Sequence, residues 1–211
     1  MTGEDRHPNG ERLTRWLNEA RRGNKEAFRR LCAPDSWQRW LTAIAVSLPP
    51  HLRSRVDPED VLLETLEQAW RHIGDLKDVS TQGFHRWISS IARHRVADII
   101  RHHQRPRRDV RREDGSPSPS RAGAFRHDHT PSKSVARREQ LAKLAGLLDE
   151  LSESYRAVIV YRLLEGYTTR EAAETMGKTP DNVRVTLHRA LIRLRELLER
   201  HGIESTIFRP L

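Results

Sequence analysis

Thr169-Arg-Glu-Ala-Ala-Glu-Thr-Met-Gly-Lys-Thr-Pro-Asp-Asn-Val-Arg-Val-Thr-Leu187 reads as two helices joined by a tight turn. The first helix spans Thr169 to Met176, with small Ala172 and Ala173 where two helices must approach closely. Gly177 falls where the chain needs a positive φ, which glycine adopts without a Cβ clash. Thr179 suits the N-cap of the second helix, and Pro180 suits its first position, where the missing N–H would go unpaired in any case. The second helix turns Val183, Leu187, Ala190, Leu191 and Leu194 inward. It leaves Asp181, Asn182, Arg184, Val185, His188 and Arg189 outward.

That arrangement is the pattern of a helix-turn-helix, whose second helix lays its N-terminal outward residues on base edges in the major groove. Arginine matches the guanine edge and asparagine the adenine edge, each through two hydrogen bonds. The six outward residues, with Arg170 and Thr179, are the candidate contacts to duplex DNA. The basic run Arg184, Arg189, Arg193 and Arg195 would neutralise phosphates and make binding salt-sensitive. A plainer reading stays open: an α-hairpin with a charged outer face, since Ala-Ala and Gly at this spacing also arise by chance.

Helical periodicity extends outward from this stretch. Leu141, Leu144, Leu147 and Leu148 form one stripe, and Leu151-Ser-Glu-Ser154 opens another helix with Ser152 as its cap, continuing to Gly166. In the N-terminal half Leu13, Trp16, Leu17 and Ala20 follow helical spacing until Gly23-Asn24. Trp37, Trp40, Leu41, Ile44 and Ala45 make a second stripe, ended by Pro49-Pro50. Asp57-Pro58-Glu59-Asp60 is a strong helix start: a capping aspartate, proline at the first position, and acids at the positive end of the dipole. Leu62, Leu66, Ala69, Trp70 and Ile73 line that helix to Gly74. After a polar loop to Gly83, a helix from about Phe84 to His103 would bury Phe84, Trp87, Ile88, Ile91, Ala92, Val96 and Ile99. No segment keeps the period-2 alternation of a strand and no repeat is found, so the fold class is all-α.

Composition supports this organisation. The 211 residues are 36% hydrophobic, enough for one or two small cores. Lys and Arg number 38 against 29 acids, and the net charge of +9 points to a polyanionic partner. Between Arg101 and Arg138, 11 Lys and Arg face four acids, so +7 of that charge lies in a segment nearly devoid of large apolar residues. Such a segment cannot bury enough surface to offset its chain entropy. The expected domains are a tail over 1–10, a helical unit over 11–104, a flexible basic linker over 105–136, a second helical unit over 137–201 and a tail over 202–211. The single cysteine, Cys32, excludes an internal disulfide and multi-cysteine zinc sites. It lies in an apolar helix without a histidine partner, which suits a buried thiol. His127-Asp128-His129 has too few ligands to be read as a metal site. No apolar run reaches the roughly 20 residues that span a bilayer, and Met1 to Asn9 lacks the core of a signal peptide. The expected protein is soluble and cytoplasmic, without membrane insertion, metal or cofactor. It carries none of the phosphate-loop, dinucleotide or zinc-protease motifs of an enzyme.

Two blocks carry a family resemblance. Asp57-Pro-Glu-Asp-Val-Leu-Leu-Glu-Thr-Leu-Glu-Gln-Ala-Trp-Arg71 and Phe84-His-Arg-Trp-Ile-Ser-Ser-Ile-Ala-Arg-His-Arg-Val-Ala-Asp-Ile-Ile-Arg101 resemble region 2 of sigma-70 family factors, extracytoplasmic-function type. Leu148 to Leu198 resembles region 4, and the two blocks in this order are far more specific than either alone. The resemblance implies a sigma factor that binds core RNA polymerase and directs it to promoters, region 4 reading the −35 element and region 2 reading and melting the −10 element. It places polymerase contacts on Asp60, Glu64, Glu67 and Gln68. The family's usual glutamine falls on Leu63, a departure expected to weaken or re-tune that contact. Strand separation needs stacking surfaces and cations, for which Phe84, His85, Arg86 and Trp87, then Arg93, His94 and Arg95, are the candidates. Phe84 and Trp87 also lie on the apolar stripe and have core packing as their alternative role. The linker either threads toward the polymerase cleft or serves as a tether. Partners are then core RNA polymerase and promoter DNA, with an anti-sigma factor as a further candidate. The rival reading is a stand-alone helix-turn-helix regulator with a sensing or dimerising N-terminal unit; the acidic face of the Asp57–Trp70 helix argues against it.

Overall fold

The computed structural model describes residues 8–32, 34–104 and 131–202. Among these residues there are ten α-helices and no strand. The N-terminal half holds α1 (Pro8–Arg21), α2 (Lys25–Leu31), α3 (Pro34–Ser47), the single turn α4 (Pro50–Arg53), α5 (Pro58–Arg71) and α6 (Thr81–Gln104). The C-terminal half holds α7 (Pro131–Asp149), α8 (Glu153–Ile159), α9 (Thr169–Met176) and α10 (Pro180–Arg200). A short π-helical segment, Val160–Leu164, prolongs α8. No helix among these residues is long and apolar enough to cross a membrane.

The helix ends follow local chemistry. Asn24 caps α2, its side chain accepting from the backbone N–H of Glu26 and Ala27 at 3.0 and 3.1 Å. Asp57 caps α5 by accepting from Glu59 N–H at 2.9 Å, with Pro58 next to it. Two expected boundaries move. The first helix begins at Pro8, inside the segment read as a tail, and α7 begins at Pro131, inside the segment read as linker. Residues 105–130, including His127-Asp128-His129, and the terminal segments 1–7 and 203–211 lie outside the described residues.

Two apolar clusters form. In the first, Trp40, Phe28, Phe84, Leu62, Leu66 and Ile88 are fully buried between α1 to α6. In the second, Val158, Ile159, Ala172, Val183, Ala190 and Leu197 join α7 to α10. The clusters are not independent. Ala43 and Val46 of α3 belong to the second, and Leu141 of α7 belongs to the first. Helix α3 is buried around nearly its whole circumference from Trp40 to Val46, as a helix apolar on all faces must be. Its far side is covered by α7, which seats the C-terminal half on the N-terminal one.

Cys32 is 3% exposed, and burial pushes its thiol up, so it stays protonated and inert. Gly83 lies inside α6, beginning earlier than the sequence suggests. A Cβ there would come within 2.2–2.5 Å of the Asp78 side chain and carbonyl oxygen. Gly83→Ala is therefore expected to lower the unfolding free energy by about 1–2 kcal/mol through overpacking, read as a drop in the urea midpoint.

Candidate nucleic-acid interface

The helix-turn-helix is built from its caps upward. Thr168 and Glu171 form a reciprocal capping box at the start of α9: Thr168 Oγ1 accepts from Glu171 N–H at 3.2 Å, and the Glu171 carboxylate accepts from Thr168 N–H at 2.7 Å. Gly177 ends the helix in the left-handed region at φ +61°, and Lys178 N–H closes the turn on Ala173 carbonyl at 2.9 Å. Ala172 and Ala173 are buried against Val183, the close approach that their small size permits. Thr179 caps α10, accepting from Asn182 N–H at 3.3 Å, and Pro180 follows.

Arg170, Thr179, Asp181, Asn182, Arg184, Val185, His188 and Arg189 are all exposed. The last six share the outer face of α10. Arg184 pairs with Asp181 one turn earlier. Asn182 is oriented by the hydroxyl of buried Thr186, which donates to its side-chain oxygen at 3.1 Å. Val185 is an apolar group on a polar face, 48% exposed, of the kind that contacts a thymine methyl. One expected inward residue, Leu191, is instead 37% exposed, and Thr186 takes an inward position. The reason is rotational: the α10 core stripe is Val183, Thr186, Ala190, Leu194 and Leu197, and Leu191 lies at its edge.

On the second candidate surface, on α6, Phe84 takes the core position expected of its apolar stripe, and His85 joins it there. Phe84 is 2% exposed, with its ring 5.9 Å from that of Trp40 and 6.2 Å from that of Phe28, edge to face. His85 is 8% exposed beside Trp40. Neither ring is open to a base in this arrangement, because the apolar stripe that begins α6 is the same surface that closes the core. Trp87 is half-buried against that core, and His94 is exposed.

The α6 arginines lie at the surface but carry carboxylate partners. Arg86 donates through Nη1 to both Glu171 oxygens, at 2.5 and 2.6 Å, and through Nη2 to Asp78 at 2.6 Å. Arg93 donates to the Tyr167 hydroxyl at 2.9 Å, lies over its ring, and comes within 3.3 Å of Glu165. Arg95 donates through Nε to Glu64 at 2.8 Å. Burial works to raise the Asp78 and Glu171 carboxyls. Hydrogen bonds outweigh it, from Ser80 and Arg86 on Asp78 and from Thr168 and Arg86 on Glu171, and both stay below the usual carboxylate range. Glu165 is 4% exposed, and burial pushes its carboxyl up, only partly opposed by Arg93.

On α5, Asp60 and Gln68 are exposed, Glu64 faces Arg95, and Glu67 pairs with Arg71 at 2.7 Å. Leu63 is 3% exposed within the first cluster. Its apolar side chain therefore fills the core rather than re-tuning an exposed contact. The partners Asp78, Glu165, Tyr167 and Glu171 were not legible in the sequence. They lie up to 85 residues from the arginines they hold. No ligand motif marks them.

Comparison with known proteins gives a consistent result. Residues 35–106 match the family model described as Sigma-70 region 2, and residues 141–194 match the one described as Sigma-70, region 4. The chain is 31% identical over 145 residues to ECF RNA polymerase sigma factor SigL of Mycobacterium tuberculosis, covering 69% of this chain and 76% of SigL. It is 28% identical over 182 residues to RNA polymerase sigma factor CnrH of Cupriavidus metallidurans, covering 86% of this chain and 91% of CnrH. The solved structure of CnrH in complex with the cytosolic domain of CnrY shares the fold. Its TM-score is 0.52 at 24% identity, over 90% of this chain and 98% of that one.

Proposed function

We propose a division of labour that starts from one premise: the chain belongs to the extracytoplasmic-function group of the sigma-70 family of RNA polymerase sigma factors, and directs transcription initiation at promoters. In this reading the C-terminal helix-turn-helix reads the −35 element as duplex. The outer face of α10 supplies Asn182, Arg184 and Val185 to base edges, while His188, Arg189, Arg170 and the N-terminal end of the helix position it on phosphates. The N-terminal half engages core polymerase through the exposed part of α5, Asp60 and Gln68, with Glu64 and Glu67 beside them. It holds the opened −10 strand through Arg86, Arg93, His94 and Arg95, with Trp87 as the stacking surface. Phe84 and His85 act through the core beneath them. The chain contributes no bond-making group of its own; the chemistry belongs to polymerase.

The observation that supports this most is that all eight candidate −35 contacts are exposed, six of them along one helix face. Run-off transcription with core polymerase on a template library tests it. Promoter-specific transcripts are expected, and a chain that neither binds polymerase nor initiates would refute it. Arg184→Ala is expected to weaken binding to the −35 duplex by about 1–3 kcal/mol and relax preference at one position, read by DNA titration at fixed salt. An anti-sigma partner is proposed on the precedent of CnrH, which was solved bound to the cytosolic domain of a second protein.

A further inference from the structure

Asn182 is the third residue of α10, and its backbone N–H is taken by the Thr179 hydroxyl at 3.3 Å. The equivalent residue of α9, Glu171, turns its side chain back to the Thr168 N–H and completes a capping box. Asn182 turns the other way. Its side-chain oxygen accepts from the Thr186 hydroxyl at 3.1 Å, one turn further along the helix.

Thr186 differs from other helical threonines of this fold. Thr42, Thr65 and Thr175 each donate to the backbone carbonyl four residues earlier, at 2.9, 2.7 and 2.8 Å, the common outlet for a hydroxyl inside a helix. Thr186 donates to a side chain four residues earlier instead. It is 8% exposed, and a buried hydroxyl keeps a partner. Asn182 above it is exposed, so the bond ties a side chain on the outer face to a group fixed beneath that face. The neighbouring contact is of another kind. Arg184 pairs with Asp181, whose side chain is 88% exposed, and water and salt loosen such a pair. The Thr186 bond joins neutral groups, and salt does not screen it.

The bond has a chemical consequence. A side-chain amide carries an acceptor oxygen at one end and N–H donors at the other. With the oxygen held by Thr186, the N–H end is left to face a ligand. Reading adenine through two bonds needs both ends, the oxygen for the N6 amino group and an N–H for N7. An amide that offers only donors suits a base with a keto oxygen on its major-groove edge, O6 of guanine or O4 of thymine. Against the amino groups of adenine and cytosine it sets donor on donor.

We propose that Thr186 is a positioning residue for promoter recognition: by holding the Asn182 oxygen it turns the amide N–H group outward, and Asn182 then selects a keto base, guanine or thymine, at its position in the −35 element. The proposal rests on the assignment of the outer face of α10 to that element. It replaces the adenine edge that the residue type alone suggests.

The test uses the full chain assembled with core polymerase and duplex promoter templates randomised over the −35 element. Asn182→Ala identifies the position that Asn182 reads, as the one whose preference it flattens. There the wild-type chain is expected to favour guanine and thymine over adenine and cytosine by about tenfold, the size of one good contact to a base edge. Thr186→Val keeps the branched shape and removes the hydroxyl, which frees the amide to offer both ends. Its keto preference should fall to about twofold or less, with adenine gaining most. Preferences at the other positions and the slope of binding against salt should stay as in wild type. Thr186→Ser should restore the keto preference. A Thr186→Val chain with a lower urea midpoint and uniformly weaker binding, but the same order of bases, would show a purely structural role and overturn the proposal. Adenine favoured by wild type at the Asn182 position, or no position flattened by Asn182→Ala, would also overturn it. A wild-type chain that selects no −35 sequence, with Arg184→Ala behaving identically, would overturn the functional reading and the proposal with it.

Discussion

Phe84→Ala is expected to lower the unfolding free energy by about 3–5 kcal/mol, the cost of emptying a fully enclosed aromatic site. Phe84 is 2% exposed, and its ring meets those of Trp40 and Phe28 edge to face, a geometry that adds to the loss beyond area alone. Its position at the start of α6 also made it a candidate stacking partner for an unpaired base. The two roles separate in Phe84→Leu, which keeps most of the volume and loses the aromatic face. With a core role, the leucine variant retains most of its stability and opens promoters as wild type does when both are folded. A leucine variant that is stable but fails in permanganate footprinting of the −10 region would return Phe84 to the base-contacting set.

The second large effect is on pH dependence. His85 is buried beside Trp40, and burial, with the Arg39 charge adding to it, holds its ring down to about 4 from an ordinary 6.5. Protonation therefore favours the unfolded chain, where the ring has its ordinary value. The stability that His85 contributes is complete above pH 6.5 and is lost as pH falls toward 4, about 3 kcal/mol over the whole window. Glu165 acts in the opposite sense, because burial raises its carboxyl and the folded state takes up a proton sooner as pH falls. Asp78, Asp149 and Glu171 are held below the ordinary carboxylate range and lose their contribution only at lower pH. Urea titrations between pH 7 and 5 should show a falling midpoint for wild type and a much flatter profile for His85→Gln. Parallel profiles would assign the proton to another group.

Much of the fold was legible in one dimension because its signals are local. A cap acts within three residues and an apolar stripe within two turns. Thr169 to Leu187 therefore announced both helices and their turn, and Asp57-Pro58 announced the start of α5. The same locality exposed the outer face of α10, since a residue opposite an apolar stripe on a surface helix has nowhere to go but solvent. The family motifs added the order of the two units and their partners.

Chain-distant pairing was not legible. Nothing near Arg86 points to Glu171, and nothing near Arg53 points to Asp149, 96 residues away. A charge on a helix face looks the same in sequence whether it meets water, DNA or a carboxylate. Helix α3 shows the same limit: Trp37, Trp40, Leu41, Ile44 and Ala45 read as one stripe, yet the structure buries Thr42, Ala43 and Val46 on its other side as well. By itself the sequence determined most of the helices, the caps at Asp57, Ser152 and Thr179, the exposed outer face of α10 and the net positive charge, because each follows from composition or from neighbours a few residues apart. Only the tertiary structure decided between the two roles open to Phe84, placed His85 and Leu63 in the core, and set α7 over α3. It alone set the C-terminal carboxylates on the N-terminal arginines, because burial and ion pairing depend on which surfaces meet, and that is a property of the whole packed chain.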